Sequence, residues 1–537
     1  MRKYCRAMEF PLHTYLFLAY PFLYLYANNI SELEIDYIVR PLSITIILVL
    51  LIQLALNVLH KNPGKNSLII TVGLILFFSY GHIYRMTGEL EIFGEPIGRH
   101  RYLLPFTFAV FFVWSWWVVK QNKVDLFIHR SFNLVGIIVL LIPVTIIGRS
   151  FIGHGVVGVL DAPSQQIAIE TTSDTLRPDV YYIVLDGYGG QDVLLDLYNL
   201  DNSPFLNSLK SMGFYVVKEG HSNYMQTLLS LASSLNMDYL NGFEGWETKT
   251  RNDLNVFRGL IRQSDVRKAF DSLGYEMVAF ETGYGATNIL DADIYLAAPD
   301  SIQAGGRFIL SPNEFEDLLI DTSLALTLRS LQTKTGIFDT IFIEDPYTRH
   351  RQRVRFTLST LGEIPSWEGD YFVFAHIINP HPPFIFDENG AVIRPEGTFS
   401  FYDASNYPGT KEEYIQRYRQ QVIYLNTLIM ETVEMILSQS EIDPIIILQA
   451  DHGPGAYLQT NSLESSNLKE RFSILNAYHF PMQGNDILDK NITPVNSFRL
   501  LFNRYFDASY ELLDDEMYFA TWRRPFKFIN VTKELIQ

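Results

Sequence analysis

The stretch "IILQADHGPG" (446–455) places an acid and an imidazole where an apolar, β-branched segment ends. Asp451 and His452 follow the apolar residues, and two glycines come close behind them. A carboxylate beside an imidazole is a donor pair that divalent metals use, but the same residues also suit a polar cap on a buried strand. The choice between a metal site and a cap depends on what the fold brings beside them.

A second acid, Asp186, ends another apolar segment, "VYYIVL", and is followed by "GYGG". Asp186, Asp451 and His452 together offer two hard oxygen ligands and one imidazole, a set that suits Zn or Mn better than Ca. Taken singly, Asp186 is also explained as a turn residue. If both segments are parallel strands, their carboxyl ends converge on one cleft, which favours a shared metal site.

A hydroxyl-rich stretch, "SNYMQTLLSLASSLN", supplies a candidate nucleophile. Thr227 precedes an apolar helical pattern and is expected to be the N-cap of that helix. The same place favours an anion, because backbone N–H groups and the helix dipole point toward it. A metal bound to this hydroxyl would lower its pKa and make it a nucleophile for phosphoryl groups. Thr227 is therefore a candidate nucleophile and a candidate metal ligand.

Histidines and arginines offer further candidates for substrate binding. His381 lies between prolines in "HIINPHPPF", a rigid segment that can hold an imidazole against a phosphate oxygen or a leaving alcohol. His376 lies inside the preceding strand, which favours a core role or a supporting contact. In "TRHRQRVRF", Arg349 and Arg351 lie either on a solvated helix face or against a phosphorylated substrate or anionic lipid headgroups. His479 is expected to be a core or surface residue rather than a ligand of a second metal.

The elements that must position these residues alternate along the chain. Strands are predicted at residues 180–185, 275–280, 370–378 and 444–450, and helices at 202–214 and 414–440. This alternation predicts an α/β domain with a largely parallel sheet over residues 178–537. Three of the four strands end at or shortly before the polar residues described above, at the edge where ligands of such sheets bind.

Apolar residues crowd into the part of the chain before this domain. Five segments of roughly bilayer-spanning length are predicted, at residues 11–27, 41–59, 67–84, 103–119 and 132–148. Lys and Arg are enriched in the N-terminal tail and in the loops after the second and fourth segments, which predicts a cytoplasmic N-terminus. Five spans in residues 1–148, followed by a linker at 149–177, then place the α/β domain outside the cytoplasm.

Composition excludes several classes of function. The formal net charge is -17, so a basic face for nucleic acid is not expected. Cys5 is the only cysteine, so neither an intramolecular disulfide nor a cysteine-based zinc cluster can form. A chain of 537 residues is also too long for one ordinary core, which agrees with two separate units.

The order of these motifs resembles that of the alkaline phosphatase/sulfatase superfamily. A strand ending in Asp186, then Thr227 before a helix, then "PHPPF", then a strand ending in "DHG" follow one another as in that superfamily. With membrane spans in front, the whole chain is similar to the lipoteichoic acid synthases and lipid A phosphoethanolamine transferases of bacteria. The resemblance implies an alkaline phosphatase-like fold, one divalent metal and a place in the bacterial cytoplasmic (inner) membrane.

The resemblance also implies roles for individual residues. It makes Asp186, Asp451 and His452 metal ligands, Thr227 the nucleophile, and His381 the histidine that contacts the substrate phosphate. The implied reaction moves a phospho-alcohol group from a phospholipid to Thr227, releasing diacylglycerol, and then to a glycan or polymer of the cell envelope. A phosphodiesterase or phosphatase with the same site stays open, as does a non-catalytic membrane scaffold. The chain departs from the extracytoplasmic phosphoethanolamine transferases in lacking their disulfides, and from the sulfatases in lacking a C/S-x-P-x-R motif.

Overall fold

The structure of the chain is a computed structural model that divides into two compact units. One unit comprises Met1–Gly158 and Pro299–Glu344, and the other comprises Val159–Ala298 and Asp345–Gln537. The described residues are 11–30, 33, 35–88, 90–92, 95–96, 98–122, 125–156, 177–242, 245–246, 249–299, 308–310, 312–335, 341–343, 345–395, 399–488 and 492–536.

The division of the chain bears on two of the sequence-based boundaries. The sequence assigned Pro299–Glu344 to the α/β domain, whereas the structure groups this segment with the apolar helices. The predicted linker, 149–177, is helical up to Val156, and most of its remainder lies outside the described residues. Cys5 and the basic N-terminal tail also lie outside them.

Helices dominate the first unit, and two short strand pairs accompany them. The helices are α1 (His13–Asn28), α2 (Val39–His60), α3 (Pro63–Thr87), α4 (His100–Lys120), α5 (Leu126–Val156), α11 (Glu314–Thr322) and α12 (Leu326–Thr335). The strands are β1 (Glu91–Ile92) with β2 (Glu95–Pro96), and β7 (Phe308–Leu310) with β8 (Ile341–Ile343).

Four helices in the described part of the chain are long and apolar enough to cross a bilayer: Ile35–His60, Pro63–Thr87, His100–Lys120 and Leu126–Arg149. Apolar side chains of Ile35–His60, His100–Lys120 and Leu126–Arg149 are largely exposed, and Val58 and Leu59 on α2 are 69% and 77% exposed. Such a surface suits lipid rather than water. The prediction of five spans is not confirmed. The first predicted span forms α1, whose 16 residues measure about 24 Å against the roughly 30 Å of a bilayer core.

Helix α11 is separated in sequence from the other helices of its unit but packs against them. Phe315 stacks on Phe22 of α1 with ring centroids 6.0 Å apart. The Arg40 guanidinium at the start of α2 forms an ion pair with Glu316 through two nitrogens, and its Nε donates to Oε1 at 2.7 Å. These contacts make the inserted segment an integral part of the apolar unit.

The second unit contains the α/β domain. Its helices are α6 (Gln191–Asp196), α7 (Ser203–Ser211), α8 (Thr227–Asn236), α9 (Asn255–Arg262), α10 (Asp265–Ser272), α13 (Pro346–Leu361), α14 (Lys411–Gln439), α15 (Leu468–Phe472), α16 (Pro494–Tyr505) and α17 (Thr532–Leu535). Its strands are β3 (Val180–Leu185), β4 (Tyr215–Val216), β5 (Glu276–Phe280), β6 (Ile294–Leu296), β9 (Tyr371–Ile377), β10 (Ile445–Gln449), β11 (Asn476–His479), β12 (Tyr518–Phe519) and β13 (Ile529–Asn530).

Seven of these strands form one sheet in the order β4-β11-β10-β3-β9-β5-β6. The five strands from β10 to β6 are parallel, and β11 and β4 add antiparallel strands at one edge. The prediction of a largely parallel sheet is therefore confirmed. Every residue of β3 is buried, because alternate side chains enter separate apolar cores on the two faces of the sheet. Strand β3 lies at the centre, between β10 and β9, so the chain segments that follow these three strands are neighbours.

Candidate metal centre

Three of the predicted ligands meet beyond the carboxyl ends of neighbouring strands. Asp186 follows β3, and Asp451 and His452 follow β10, which pairs with β3 in parallel. The His452 Nε2 atom lies 3.5 Å from Asp186 Oδ1 and 3.3 Å from Asp451 Oδ2. All three side chains are buried, and they could hold a metal ion. With Thr227, they are called the candidate metal centre below.

The polar atoms of these side chains test whether a metal fits. Asp186 Oδ1 and Asp451 Oδ2 are buried and have no hydrogen-bond partner among the described residues. The other oxygen of Asp451 accepts backbone N–H bonds from Gly187 at 3.1 Å and His452 at 2.9 Å. His452 Nδ1 lies 2.9 Å from the Gly453 carbonyl oxygen, which favours the proton on Nδ1 and makes Nε2 an acceptor, with Arg471 Nη2 3.1 Å away. Buried carboxylates without partners are costly, and a cation removes that cost.

The spacing of the donor atoms also fits a small divalent ion. Around His452 Nε2, the distances to Thr227 Oγ1, Asp451 Oδ2 and Asp186 Oδ1 are 3.1, 3.3 and 3.5 Å. Tetrahedral zinc with ligand bonds of about 2.0–2.1 Å requires ligand atoms roughly 3.3 Å apart. One imidazole nitrogen and three oxygens form a donor set that suits Zn or Mn.

Thr227 is the first residue of α8 rather than its N-cap, so that expectation is wrong. Gln226 takes the N-cap position with an extended backbone, and its side chain makes no capping hydrogen bond. The Thr227 hydroxyl is consequently not used for capping, and Oγ1 lies 3.1 Å from His452 Nε2. Thr227 is partly exposed while its immediate neighbours are buried, so its hydroxyl is accessible to a substrate.

The electrostatics of the centre favour the protonation states that a metal needs. Burial alone would raise the pKa of the Asp186 carboxyl, but the imidazoles of His381, His376 and His452 hold that pKa below its ordinary value. Burial, and then the positive charge of Arg471, lowers the pKa of His452. A charged carboxylate and a neutral imidazole are the forms that bind metal ions.

Two histidines from β9 and the segment after it flank Asp186. His376 Nε2 lies 3.4 Å from Asp186 Oδ2, and its Nδ1 lies 2.9 Å from the Thr287 hydroxyl oxygen. His376 thus supports the Asp186 carboxylate from within the strand. The His381 backbone N–H donates to the Asp186 carbonyl oxygen at 3.0 Å, and its ring centroid lies 6.3 Å from that of His452. The structure therefore brings His381 to the centre, as predicted.

The arginines of α13 are not on a solvated helix face, because both Arg349 and Arg351 are buried. The Arg351 guanidinium donates to the Ile393 carbonyl oxygen at 3.2 Å and to the Thr348 hydroxyl at 2.8 Å. Arg351 thereby ties a neighbouring loop to α13. A substrate contact by Arg349 or Arg351 stays a prediction.

His479 lies at the opposite end of the sheet from the candidate metal centre. Its Nδ1 lies 3.0 Å from the carbonyl oxygen of Pro444, the residue before β10 begins. His479 therefore fills the core or surface role that the sequence favoured for it, and its described contacts are remote from the centre.

Two charged residues beside the centre were missed by sequence reasoning. Arg471 on α15 is buried, and its Nη2 lies 3.1 Å from His452 Nε2. Its Nη1 donates to Asp403 Oδ2 at 2.8 Å, and His381 Nε2 lies 3.8 Å from the same oxygen. Burial would raise the pKa of Asp403, but His381 and Arg471 lower it to about 2. Neither residue follows an apolar strand or a repeating pattern that would have marked it.

Comparisons with known proteins find solved structures of similar fold but do not assign the chain to a family. No protein-family model matches the chain, and no curated protein matches it either. Among solved structures, the chain is similar to the C-terminal periplasmic domain of EptC from Escherichia coli in complex with Zn. The identity is 10% over 67% of this chain and 94% of that one, with a TM-score of 0.40.

The chain is also similar to a membrane protein, the lipooligosaccharide phosphoethanolamine transferase A of Neisseria meningitidis. The integral membrane protein matches at 12% identity over 93% of this chain and 95% of that one, with a TM-score of 0.37. Its soluble domain matches at 12% identity over 63% and 90%, also with a TM-score of 0.37. These neighbours are phosphoethanolamine transferases, the group that the motifs resemble.

Proposed function

We propose that the chain is a membrane-bound, metal-dependent transferase. It moves a phospho-alcohol group, of the phosphoglycerol or phosphoethanolamine type, from a phospholipid through a phosphothreonine at Thr227 to a cell-envelope glycan or polymer. The observation that carries this proposal is the 3.1 Å approach of Thr227 Oγ1 to His452 Nε2. It occurs beside two buried carboxylate oxygens that lack partners in the described part of the chain.

The apolar helices support a lipid as the donor. Four of them are long enough to cross a bilayer, and their exposed apolar side chains suit contact with lipid. A membrane-bound enzyme meets phospholipid without diffusing to it. We place the protein in the bacterial cytoplasmic membrane with its α/β unit on the outer side, which requires α1 to complete a fifth crossing. The distribution of Lys and Arg supports that orientation.

One divalent ion, Zn or Mn, would be held by Asp186, Thr227, Asp451 and His452, where it would lower the pKa of the hydroxyl and offset phosphate charge. The protein itself supplies the nucleophile and its setting. Thr227 stands in the first turn of α8, where backbone N–H groups favour a phosphate.

In the first half-reaction, Thr227 Oγ1 attacks the phosphorus and releases its proton to water. The bond from phosphorus to the diacylglycerol oxygen breaks, and His381 gives that oxygen a proton. In the second half-reaction, an acceptor hydroxyl loses its proton to His381 and attacks the phosphorus. The bond to Thr227 then breaks, and the threonine oxygen regains a proton from water.

The test uses the purified full chain with headgroup-labelled phosphatidylglycerol or phosphatidylethanolamine, with and without Zn²⁺ or Mn²⁺. We expect wild type to release diacylglycerol and to carry the labelled headgroup phosphate on the peptide that contains Thr227, as detected by mass spectrometry. Thr227→Ala should lose the adduct and at least about 100-fold of the activity, since it removes the nucleophile. Thr227→Ser keeps a hydroxyl and should keep the adduct.

Other results would contradict the proposal in recognisable ways. Diacylglycerol release by a folded Thr227→Ala variant at the wild-type rate would refute the nucleophile. An adduct that only water resolves, whatever acceptor is supplied, would show a phosphodiesterase instead of a transferase. A wild-type chain that neither binds metal nor cleaves phospholipid would support a non-catalytic membrane protein.

A further inference from the structure

One face of α14 carries three buried polar side chains behind the candidate metal centre. Tyr414, Tyr418 and Gln421 are spaced by four and three residues, so they lie along a single stripe of the helix. Their exposed fractions are 2%, 0% and 0%. Buried polar groups on a helix face need partners, and each of these three finds them in a segment that carries a residue of the centre or His381 beside it.

Tyr418 holds the turn that follows Asp186. Its hydroxyl donates to the carbonyl oxygen of Gly187 at 2.8 Å and accepts from the backbone N–H of Gly189 at 3.0 Å. One hydroxyl thus bonds to both sides of a turn that contains glycine at φ 73°. The position of Asp186 depends on this turn because Gly187 is its direct neighbour.

Gln421 holds the segment around His381. Its Nε2 donates to the carbonyl oxygens of Pro380 at 3.1 Å and His381 at 3.3 Å. Its Oε1 accepts from the backbone N–H of Ile385 at 2.7 Å. One amide therefore closes the loop that presents His381.

Tyr414 holds the segment after His452 and the carboxylate of Asp403. Its hydroxyl donates to Asp403 Oδ1 at 2.7 Å and accepts from the backbone N–H of Gly455 at 3.1 Å. Asp403 in turn bonds to Arg471, whose Nη2 approaches His452. Tyr414 thus acts on the third segment that supplies the centre.

We propose that Tyr414, Tyr418 and Gln421 form a clamp that sets the geometry of the candidate metal centre. They are positioning residues, since they act through the three segments after β3, β9 and β10. The clamp itself stands on the hydrogen bonds above, and its effect on catalysis rests on the proposed function.

The rest of α14 gives the clamp a rigid base. Val422, Leu425 and Ile429 are fully buried in the core that also contains Ile183 of β3 and Leu448 of β10. The helix is therefore fixed to the strands whose following segments it holds. A centre needs its ligands within about 0.5 Å of the productive geometry, and loops reach that precision only when a rigid element supports them.

The experiment compares Tyr418→Phe and Tyr414→Phe with Tyr424→Phe, a matched change on the same helix whose ring packs on Phe386 at 5.0 Å. Hydrogen exchange of the metal-free full chain in detergent is the first readout. We expect faster exchange in the peptide of Gly187 and Gly189 for Tyr418→Phe, and in the peptide of Gly455 for Tyr414→Phe. Tyr424→Phe should change neither peptide.

Metal affinity and kinetics are the second readout. In a Zn²⁺ titration, we expect both clamp variants to bind about 10-fold or more weakly than wild type, the usual cost of losing a supporting contact. With labelled phospholipid, kcat should fall while KM stays near the wild-type value, because the donor surface is untouched. Tyr424→Phe should bind Zn²⁺ as wild type does.

Each failure has its own signature. Unchanged exchange in both clamp variants would refute the clamp. Faster exchange with wild-type Zn²⁺ affinity and kcat would show that the segments are held but that the centre does not depend on them, which refutes the positioning role. A wild-type chain that binds no Zn²⁺ and transfers nothing would refute the proposed function, and the exchange data would still decide the clamp.

Discussion

Two buried polar clusters, one in each unit, differ in how their polar atoms are used. In the first unit, His13 Nδ1 lies 2.6 Å from the Thr71 hydroxyl and its Nε2 lies 3.0 Å from His129 Nδ1. The His13 backbone N–H also donates to Asn133 Oδ1 at 2.7 Å. These four residues, called the membrane cluster below, join α1, α3 and α5.

In the candidate metal centre, by contrast, Asp186 Oδ1 and Asp451 Oδ2 find no partner within the described chain. The two clusters are similarly buried, so burial alone does not separate structure from function. The difference is that His13 has protein partners for both of its ring nitrogens, whereas the two aspartates keep an oxygen each for something outside the chain. A satisfied cluster fixes helices together, and an unsatisfied one indicates a ligand.

The largest effect should come from neutralising the unsatisfied oxygens. Asp186→Asn and Asp451→Asn should each lower activity by at least about 100-fold, because they remove a ligand that binds the ion directly. Wild type at a Zn²⁺ concentration near 100 times its Kd should gain about 2.7 kcal/mol of unfolding free energy. Thermal unfolding with and without Zn²⁺ measures this gain, which both variants should lack.

The metal-free variants supply the control for that experiment. Without metal, each Asn variant should be close to wild type in stability, since the amide keeps one oxygen for the contacts already made and a neutral nitrogen replaces the oxygen that has no hydrogen-bond partner in the described chain. A large loss of metal-free stability would mean that the carboxylates already have structural partners, and the contrast with the membrane cluster would disappear.

Breaking the membrane cluster should have an intermediate effect. It should lower the stability of the metal-free chain and leave the response to Zn²⁺ unchanged. His13→Ala removes the His13 contact of His129 Nδ1 and one of the contacts of the Thr71 hydroxyl, and it should lower the free energy of unfolding by about 1–3 kcal/mol. The stabilisation by Zn²⁺ should stay that of wild type, because the candidate metal ligands lie in the other unit. Thermal unfolding in detergent gives both quantities. If His13→Ala lost the stabilisation by Zn²⁺ but kept its metal-free stability, the membrane cluster would be the one that binds the ion, and its structural role would be refuted.

The smallest expected effect concerns Glu470 on α15, a buried carboxyl to compare with those of the candidate metal centre. Its carboxylate accepts from the Tyr198 hydroxyl at 2.5 Å and the Tyr457 N–H at 2.8 Å. Burial nevertheless raises its pKa from 4.5 to about 8, despite the lowering effect of these bonds. Because the folded chain keeps this proton to higher pH than the unfolded chain, stability falls as pH rises from about 4.5 to about 8.

Glu470→Gln removes that titration. Between pH 5 and pH 8, the free energy of unfolding of wild type should fall further than that of the variant, by about 1 kcal/mol or more. Chemical denaturation at the two pH values measures the difference. An equal pH dependence in both proteins would show that Glu470 is ionised throughout this range.

The sequence predicted the sheet, and the meeting of three candidate ligands at its edge, because both follow from local patterns. The predicted strand at 180–185 matches β3, and the strand at 444–450 contains β10 (Ile445–Gln449). Once these strands are parallel neighbours, Asp186, Asp451 and His452 must meet at one edge. The start of a helical pattern was enough to select Thr227. It was predicted as the N-cap, one position before the place that it takes as the first residue of α8.

The parts that the sequence did not predict depend on distant segments. Asp403 and Arg471 reach the centre from a loop and from a five-residue helix, neither of which has an apolar period. The clamp looked like ordinary positions of an amphipathic helix, because the partners of its hydroxyls are backbone atoms far along the chain. The fifth span is not confirmed, because apolar composition alone does not show that the described helix α1 has only 16 residues.

The segment Pro299–Glu344 has a consequence for how the protein is made. Its helix α11 packs against α1 and α2 through Phe315 and Glu316, yet it follows four strands and five helices of the other unit in the chain. After the last long apolar helix, α5, ends at Val156, the ribosome must still synthesise residues 157–313 before α11 begins at Glu314. The first unit therefore cannot complete its packing until part of the other unit has been synthesised. A fragment that begins at residue 178 would carry α11 without the helices that cover it.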